Sequence, residues 1–315
     1  MARNPDIDIA KGIGILLVMG LHSGFHQQWM ATFEMPLFFL LSGVFFKADL
    51  PFKQFLMKKV NTLLIPYIFF ESPKLVYDLW YFLSHDSSLI DCYVNSSLPT
   101  TTWFILCLFE IQLISYAIFK VSKKIIWLAS VALLFSIAGY WLSRSGVDNF
   151  LFLCSAVTGT SFFLLGYLAK SGITARWKRT FLIPLGGIML MLCHMIWSFD
   201  KPDVFYRGNM LDDYWSLVIA MALACSTGVI LISKSIRSRF LQFFGRYSLI
   251  ILGTHLYIFV TLERINANLP PIVLFTTGVL LEIPIIIALR KYMPRFCGIL
   301  PLLKNNIPNV MPQLK

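Results

Sequence analysis

A lysine and a histidine in the first apolar segment have the chemistry and the spacing of a pair that moves a proton. Lys11 and His22 are eleven residues apart in DIDIAKGIGILLVMGLH. At about 100° per residue, a helix turns roughly 20° past three full turns over that distance, so both side chains share one face. The axial separation is about 16 Å, so a lysine at the membrane boundary leaves His22 about halfway through a ~30 Å hydrocarbon core.

An imidazole at that depth has two interpretations. Ionisable groups within a membrane are functional candidates, and a neutral histidine could accept the proton of an attacking hydroxyl, as histidine usually does in acyl transfer. The alternative is a structural histidine that bonds to a neighbouring backbone or hydroxyl group. His26 is expected at the outer mouth of the same helix, whereas His194 and His255 are expected to be satisfied core histidines.

The composition predicts that these residues lie in membrane-spanning helices. Of the 315 residues, 57% are hydrophobic and 14% are charged, and the mean hydropathy is +0.71. Such a composition excludes an ordinary soluble protein, and the apolar stretches leave no separate soluble domain. We therefore predict an all-α, polytopic integral membrane protein with about ten transmembrane helices, near residues 11–26, 33–46, 61–83, 100–119, 125–142, 150–169, 181–199, 214–233, 248–262 and 271–289.

The distribution of basic residues indicates the orientation of these helices. Most of the 27 Lys and Arg residues fall in alternate loops that share a side with both chain ends, and the opposite loops are acidic. By the positive-inside rule, both termini are expected to be cytoplasmic. The net charge of +11 then indicates loops facing anionic lipid, and no nucleic-acid partner is expected.

Cysteine spacing, repeats and the N-terminus narrow the function classes. The six cysteines are scattered and no Cys/His pair has zinc spacing, so neither structural disulfides nor a metal site is expected. No internal repeat is evident, which weakens the case for a secondary transporter. No small-residue cleavage site follows Lys11, so we predict a retained first helix and no cleaved signal peptide.

Six sequence blocks, taken in order, give the chain a resemblance to a known family. They are DIDIAKGIGILLVMGLH (6–22), FEMPLFFLLSG (33–43), FLMKKVNTLLIPY (55–67), TTWFILCLF (101–109), SFFLLGYLAK (161–170) and FGRYSLIILGTHLYIF (244–259). Together they resemble the acyltransferase 3 family of membrane-bound O-acyltransferases nearly from end to end.

The resemblance implies an enzyme of the bacterial inner (cytoplasmic) membrane. It would transfer an acyl group, usually acetyl from cytoplasmic acetyl-CoA, to a hydroxyl of a cell-surface or lipid-linked polysaccharide, and it would need no metal. A transmembrane domain over 1–295 and a short cytoplasmic tail over 296–315 are expected. In the family a basic residue and the helix-one histidine act together at the spacing of Lys11 and His22, so His22, Lys11 and Asp8 are the implied catalytic residues.

The donor would need a cationic binding site. Coenzyme A carries several phosphate charges, and Lys11, Lys58 and Lys59 are expected to gather at the cytoplasmic side. The family commonly has two arginines, separated by two residues, before its third helix. This chain has Lys59 in the first place and Thr62 in the second, so the charge of one phosphate contact is missing.

The acceptor side carries three further candidates. Many relatives have histidine before Met-Pro-Leu-Phe, where this chain has Glu34, so the acceptor pocket or its proton relay is expected to differ. Trp103 and Phe104 could stack on a sugar ring, although interfacial anchoring explains Trp103 equally well. Two other functions remain open: a transporter or flippase of lipid-linked sugars, in which His22 gates protons, and an inactive relative of the family.

Overall fold

The computed structural model describes residues 4–25, 28–84, 102–175 and 181–303, and the described residues are almost entirely helical. All ten predicted apolar stretches are mainly helical where they are described. The α-helices are α1 Pro5–His22, α2 Glu34–Val44, α3 Phe52–Lys59, α4 Ile65–Ser84, α5 Trp103–Val121, α6 Ile125–Arg144, α7 Leu153–Leu168, α8 Lys170–Thr174, α9 Leu182–Asp200, α10 Trp215–Ser235, α11 Arg239–Arg246, α12 Ser248–Ile265 and α13 Pro271–Tyr292.

Shorter elements complete the described chain. A π-helical turn, Val60–Leu64, joins α3 to α4, and 3₁₀ turns span Gln28–Thr32, Phe150–Phe152 and Tyr206–Gly208. Two strands, β1 Val204–Phe205 and β2 Met210–Leu211, form an antiparallel hairpin between α9 and α10, in which Val204 pairs with Leu211 and Phe205 with Met210. The sequence pattern did not predict this hairpin or the short helices α3 and α11.

Among the described residues, seven helices are long and apolar enough to cross a membrane, namely α5, α6, α7 with its preceding 3₁₀ turn, α9, α10, α12 and α13. Their number marks the chain as an integral membrane protein. Three other predicted spans differ for physical reasons: α1 and α4 each carry three charged residues, and the eleven residues of α2 are too few for a straight span. The count of ten spans and the cytoplasmic termini stay predictions.

The start of α1 follows from its sequence. Asn4 caps the helix, since its side-chain oxygen accepts a hydrogen bond from the backbone nitrogen of Asp6 at 3.0 Å, and Pro5 occupies the first helical position, which needs no N–H donor. The helix ends at His22, four residues before the end of the apolar run that the sequence indicated.

Glycines let two helix pairs cross at backbone contact. A Cβ on Gly12 of α1 would overlap the carbonyl oxygen of Leu241, and one on Gly245 of α11 would overlap that of Asp8. The same reciprocal arrangement joins Gly43 of α2 to Gly166 of α7. Small residues at such crossings are how membrane helices pack closely, so these four positions fix where α1 and α2 stand.

Buried charges within α4 are paired. Lys74 and Asp78, both nearly inaccessible, form an ion pair at 2.5 Å, and Glu71 accepts a hydrogen bond from the hydroxyl of Thr102. The charges of this helix are thus paired within it, and Thr102, which directly precedes Trp103, is a further partner.

The segment after α13 folds back on the junction of α3 and α4. The Asn61 side chain accepts hydrogen bonds from the backbone nitrogens of Leu302 and Leu303, both at 2.8 Å, and donates one to the Leu303 carbonyl at 3.2 Å. Gly298, with φ +69°, turns the chain against Thr62 and Pro66. The domain boundary predicted after residue 295 stays a prediction.

Candidate active site

One cavity of about 150 Å³ collects side chains from six parts of the fold. It lies between the end of α1, the first half of α12, the 3₁₀ turn Gln28–Thr32, the beginnings of α2 and α5, and the hairpin before α10. Its walls are mostly apolar, with a few polar groups that converge, as in typical small-molecule sites. The lining residues are Val18, Leu21, His22, Ala31, Glu34, Met35, Trp103, Phe104, Val204, Phe205, Tyr206, Arg207, Leu252, His255 and Leu256.

Four of the residues predicted from the sequence line this cavity, although they are far apart in the chain. They are His22, Glu34, Trp103 and Phe104. The crossings at Gly12 and Gly43 place the helices that carry the first two. The cavity thus brings a histidine, a carboxyl group and an aromatic wall to one space.

His22 is the last residue of α1, and its side chain is exposed to the cavity. Its ring centroid lies 5.3 Å from that of His255, with an angle of 45° between the ring planes. The ring is exposed and belongs to the lining of the cavity, so an occupant of the cavity can contact it. His22 can therefore approach a hydroxyl placed in the cavity.

His255 is a cavity residue that sequence reasoning assigned to the core. Its Nδ1 atom lies 2.7 Å from the carbonyl oxygen of Ile251, one turn earlier in α12, and a carbonyl can only accept, so Nδ1 carries the hydrogen. Its Nε2 atom is buried and has no hydrogen-bond partner among the described residues. The expectation of a satisfied core histidine was thus wrong for one of the two nitrogens.

Glu34 opens α2 and is 5% exposed. Its Oε2 atom is buried without a hydrogen-bond partner in the described part of the chain. A buried polar atom left unpaired costs about 1–3 kcal/mol, so a protein retains it where another group can pair with it. Glu34 and His255, which both line the cavity, therefore each have one buried polar atom without a partner among the described residues.

Tyr206 closes the cavity on the hairpin side and is held in place. Its hydroxyl donates a hydrogen bond of 2.9 Å to the Thr32 carbonyl. Burial, and then the nearby Glu34 carboxyl, raise the pKa of Tyr206 well above its ordinary value, so the phenol stays protonated. Tyr206 thus positions the hairpin and does not act as a base.

The two aromatic candidates differ in their surroundings. Phe104 is 4% exposed and stacks on Phe39 with a centroid distance of 4.9 Å, so most of its ring belongs to the core. Trp103 is half-buried, with its ring 6.1 Å from those of Phe104 and Phe152. Of the two, Trp103 offers more of its ring to an occupant of the cavity.

Comparison with known proteins places this arrangement in a family. Residues 4–291 match the acyltransferase domain that defines the acyltransferase 3 family. The chain belongs to the acyltransferase 3 family. No curated protein and no solved structure matches it.

The remaining predicted residues of this acyltransferase lie outside the cavity formed by the described residues. Asp8 is buried where α1 crosses α11, and Lys11 is one turn further along α1; both side chains have interaction partners. Lys58 and Lys59 end α3. Lys11 and His22 are eleven positions apart, and this explains the separation, since eleven positions span about 16 Å of helix.

Lys59 is the more enclosed of the two lysines in α3. It is half-buried, and its ammonium nitrogen lies 5.3 Å from the ring centroid of Phe55. Burial, and then the charge of Lys58, lower the pKa of Lys59 to about 8. An anion beside these lysines would relieve their mutual repulsion and favour the charged form.

Thr62 does not replace the second basic group of the family. Its hydroxyl donates to the Lys58 carbonyl at 2.9 Å, and the C-terminal segment at Gly298 packs against its backbone. The position therefore serves local packing in this acyltransferase.

Proposed function

We propose that this protein is a membrane O-acyltransferase that transfers acetyl from cytoplasmic acetyl-CoA, or another acyl group from its CoA thioester, to a hydroxyl of a cell-surface or lipid-linked polysaccharide. Membership of the acyltransferase 3 family supports an acyl donor and an acceptor. The observation that carries the proposal is the shared cavity of His22, Glu34 and Trp103. The proposed location is the bacterial inner membrane.

His22 is the proposed general base. A ring nitrogen takes the proton of the acceptor hydroxyl while the oxygen forms a bond to the thioester carbonyl carbon. The carbon–sulfur bond then breaks, and the proton passes from His22 to the leaving thiolate, so that the products are an ester and free CoA. A positioned base of this kind contributes about 10²–10⁴-fold to the rate.

The other candidates have proposed parts on either side of His22. Lys58 and Lys59 would bind CoA phosphates, with the acyl arm extending past Lys11 and Asp8 along α1 toward the cavity, and Lys11 would orient or charge the path. Glu34 would accept a hydrogen bond from the acceptor, and Trp103, with Phe104 beside it in the cavity wall, would stack on its sugar ring.

The test is acetyl transfer by purified protein in detergent or lipid, with labelled acetyl-CoA and a glycan acceptor. We expect His22→Ala to lower the rate by about 10²-fold or more. His194→Ala is the matched control, because that histidine lies in α9 against Trp29, at a centroid distance of 5.4 Å, and does not line the cavity formed by the described residues. Transfer by His22→Ala at the wild-type rate would refute the assignment.

Binding separates this function from sugar transport. Acetyl-CoA or CoA should raise the melting temperature of the wild-type acyltransferase, because a ligand that binds the folded state stabilises it. A flippase of lipid-linked sugars would move its substrate without acyl-CoA and show no such shift.

A further inference from the structure

His255 has a feature that packing does not explain. It is 2% exposed, it lines the cavity, and its Nε2 atom has no hydrogen-bond partner among the described residues. The bond from Nδ1 to the Ile251 carbonyl fixes the tautomer, so a neutral His255 presents the Nε2 lone pair. The helix thus holds a hydrogen-bond acceptor at a known position in the cavity wall.

The separation of the two rings suits one hydrogen bond. Each ring nitrogen stands little more than an ångström from its centroid, so at a centroid distance of 5.3 Å a turn of the His22 ring would bring two facing nitrogens to roughly 3 Å, a bond that the structure itself does not contain. Two imidazolium ions so close would repel each other. One proton shared between a donor on His22 and an acceptor on His255 is the arrangement that avoids this repulsion.

Resting on the proposed function, we infer that His255 is a positioning residue for His22. Once the His22 ring turns toward it, the Nε2 lone pair of His255 accepts a hydrogen bond from one ring nitrogen of His22, which fixes the tautomer of His22 so that its other nitrogen takes the hydroxyl proton. When His22 becomes an imidazolium ion, the same bond stabilises it until the proton passes to the CoA thiolate. His255 itself stays neutral throughout.

The other polar groups at this cavity are less suited to accept a hydrogen bond from His22. Tyr206 donates to the Thr32 carbonyl. Arg207, also on the hairpin, is a cation and cannot accept a hydrogen bond. Glu34 faces the cavity from α2 and could pair with the acceptor sugar, whereas the ring contact with His22 belongs to His255.

The experiment compares His255→Phe with His255→Gln in the full-length protein. Phenylalanine fills the space without an acceptor, whereas the glutamine side-chain oxygen can accept from His22. We expect His255→Phe to lower kcat by roughly 10²-fold with little change in either KM, and to move the acidic limb of the kcat profile to lower pH, because the protonated His22 ring has lost its acceptor. His255→Gln should recover much of kcat and restore the limb.

A double-mutant cycle decides whether His255 acts through His22. If it does, His255→Phe should cause no further loss in a His22→Ala background, since the two residues act as a unit. Multiplied losses in the double variant, or a His255→Phe effect confined to KM, would overturn the inference. CoA-dependent thermal stabilisation of each variant verifies folding, and His194→Phe is the matched control.

The outcomes also separate this inference from the proposed function. If His22→Ala transfers acetyl at the wild-type rate, His22 is not the general base, and the proposed function fails together with the inference about His255. If His22→Ala is inactive and His255→Phe is fully active, His22 remains the proposed general base and only the positioning role of His255 is refuted.

Discussion

Lys59 carries an ammonium group that titrates near neutral pH. Its environment favours loss of the proton, since burial and the adjacent charge of Lys58 bring its pKa to about 8. If this lysine binds a CoA phosphate, the affinity depends on the fraction of Lys59 that is charged. That fraction falls as the pH rises through 8.

We expect acyl-CoA to bind more weakly at pH 9 than at pH 7. The charged contact is worth about 1.5–3 kcal/mol, so Lys59→Gln should weaken binding at pH 7 by roughly tenfold or more and flatten the pH dependence. Titration calorimetry or a thermal-shift series with CoA at several pH values measures both effects.

The matched control for this prediction is Lys123→Gln. Lys123 is exposed and pairs with Asp49 at 2.9 Å, so its loss should leave CoA binding and its pH dependence unchanged. An equal loss in both variants would mean that CoA responds to the overall charge of this side and not to Lys59.

The sequence identified part of this site from residue type and spacing. His22, Glu34, Trp103 and Phe104 stood out in short blocks, and the fold brings them to one cavity. His255 lies in the block FGRYSLIILGTHLYIF. Its proposed role as a positioning residue, however, depends on which of its ring nitrogens is hydrogen-bonded to the Ile251 carbonyl. Hydrogen bonding of that kind arises from the folded helix and has no pattern in the sequence.

Helix crossings without side chains between them control the position of the site. α1 carries His22, and it meets α11 where Gly12 lies against the Leu241 backbone and Gly245 against that of Asp8. The apolar stretches predicted the long helices well. They could not predict α11, because eight residues with two arginines and three phenylalanines show no apolar run long enough to indicate a span.

Gly12→Ala should therefore destabilise the protein and reduce activity. The added methyl group forces α1 away from the backbone of α11 and costs about 1–3 kcal/mol, and the displaced helix shifts His22. Thermal unfolding in detergent, together with the transfer assay, measures both consequences.

Gly187→Ala in α9 is the matched control, since a Cβ there would meet nothing within 4 Å. That substitution should leave the melting temperature unchanged or raise it, because alanine favours a helix over glycine by about 1 kcal/mol. Equal losses of melting temperature and activity in the two variants would show that the close contact of α1 with α11 does not determine the stability or the position of the site.

At the scale of the whole molecule, the hairpin before α10, which lines the cavity, is hydrogen-bonded to distant parts of the fold. Asn149 donates to the Arg207 carbonyl at 2.8 Å and Ser155 to the Tyr206 carbonyl at 2.7 Å. Asn209 donates to the Gly139 carbonyl at 3.0 Å. Counting the bond from Tyr206 to Thr32, four hydrogen bonds from three distant parts of the chain thus hold a loop that has only two pairs of strand residues of its own.

Loosening this loop should affect the acceptor more than the donor. We expect Asn149→Ala with Ser155→Ala to raise the acceptor KM several-fold, since each lost hydrogen bond contributes about 0.5–1.5 kcal/mol, and to leave CoA-dependent stabilisation intact. Steady-state kinetics with either substrate varied distinguishes the two. The control is Asn268→Ala, at an exposed position before α13, which should change neither the acceptor KM nor the donor KM. A raised donor KM in the double variant would contradict the proposal that the hairpin lies on the acceptor side of the site.

The fastened hairpin also limits how an acceptor can arrive. Four hydrogen bonds to the rest of the fold oppose a lid-like movement of the hairpin. If the acceptor is a sugar, as proposed, we therefore predict that it enters between helices, from within the plane of the lipid. We expect a sugar still joined to its lipid carrier to be modified faster than the same sugar in a finished, released polymer.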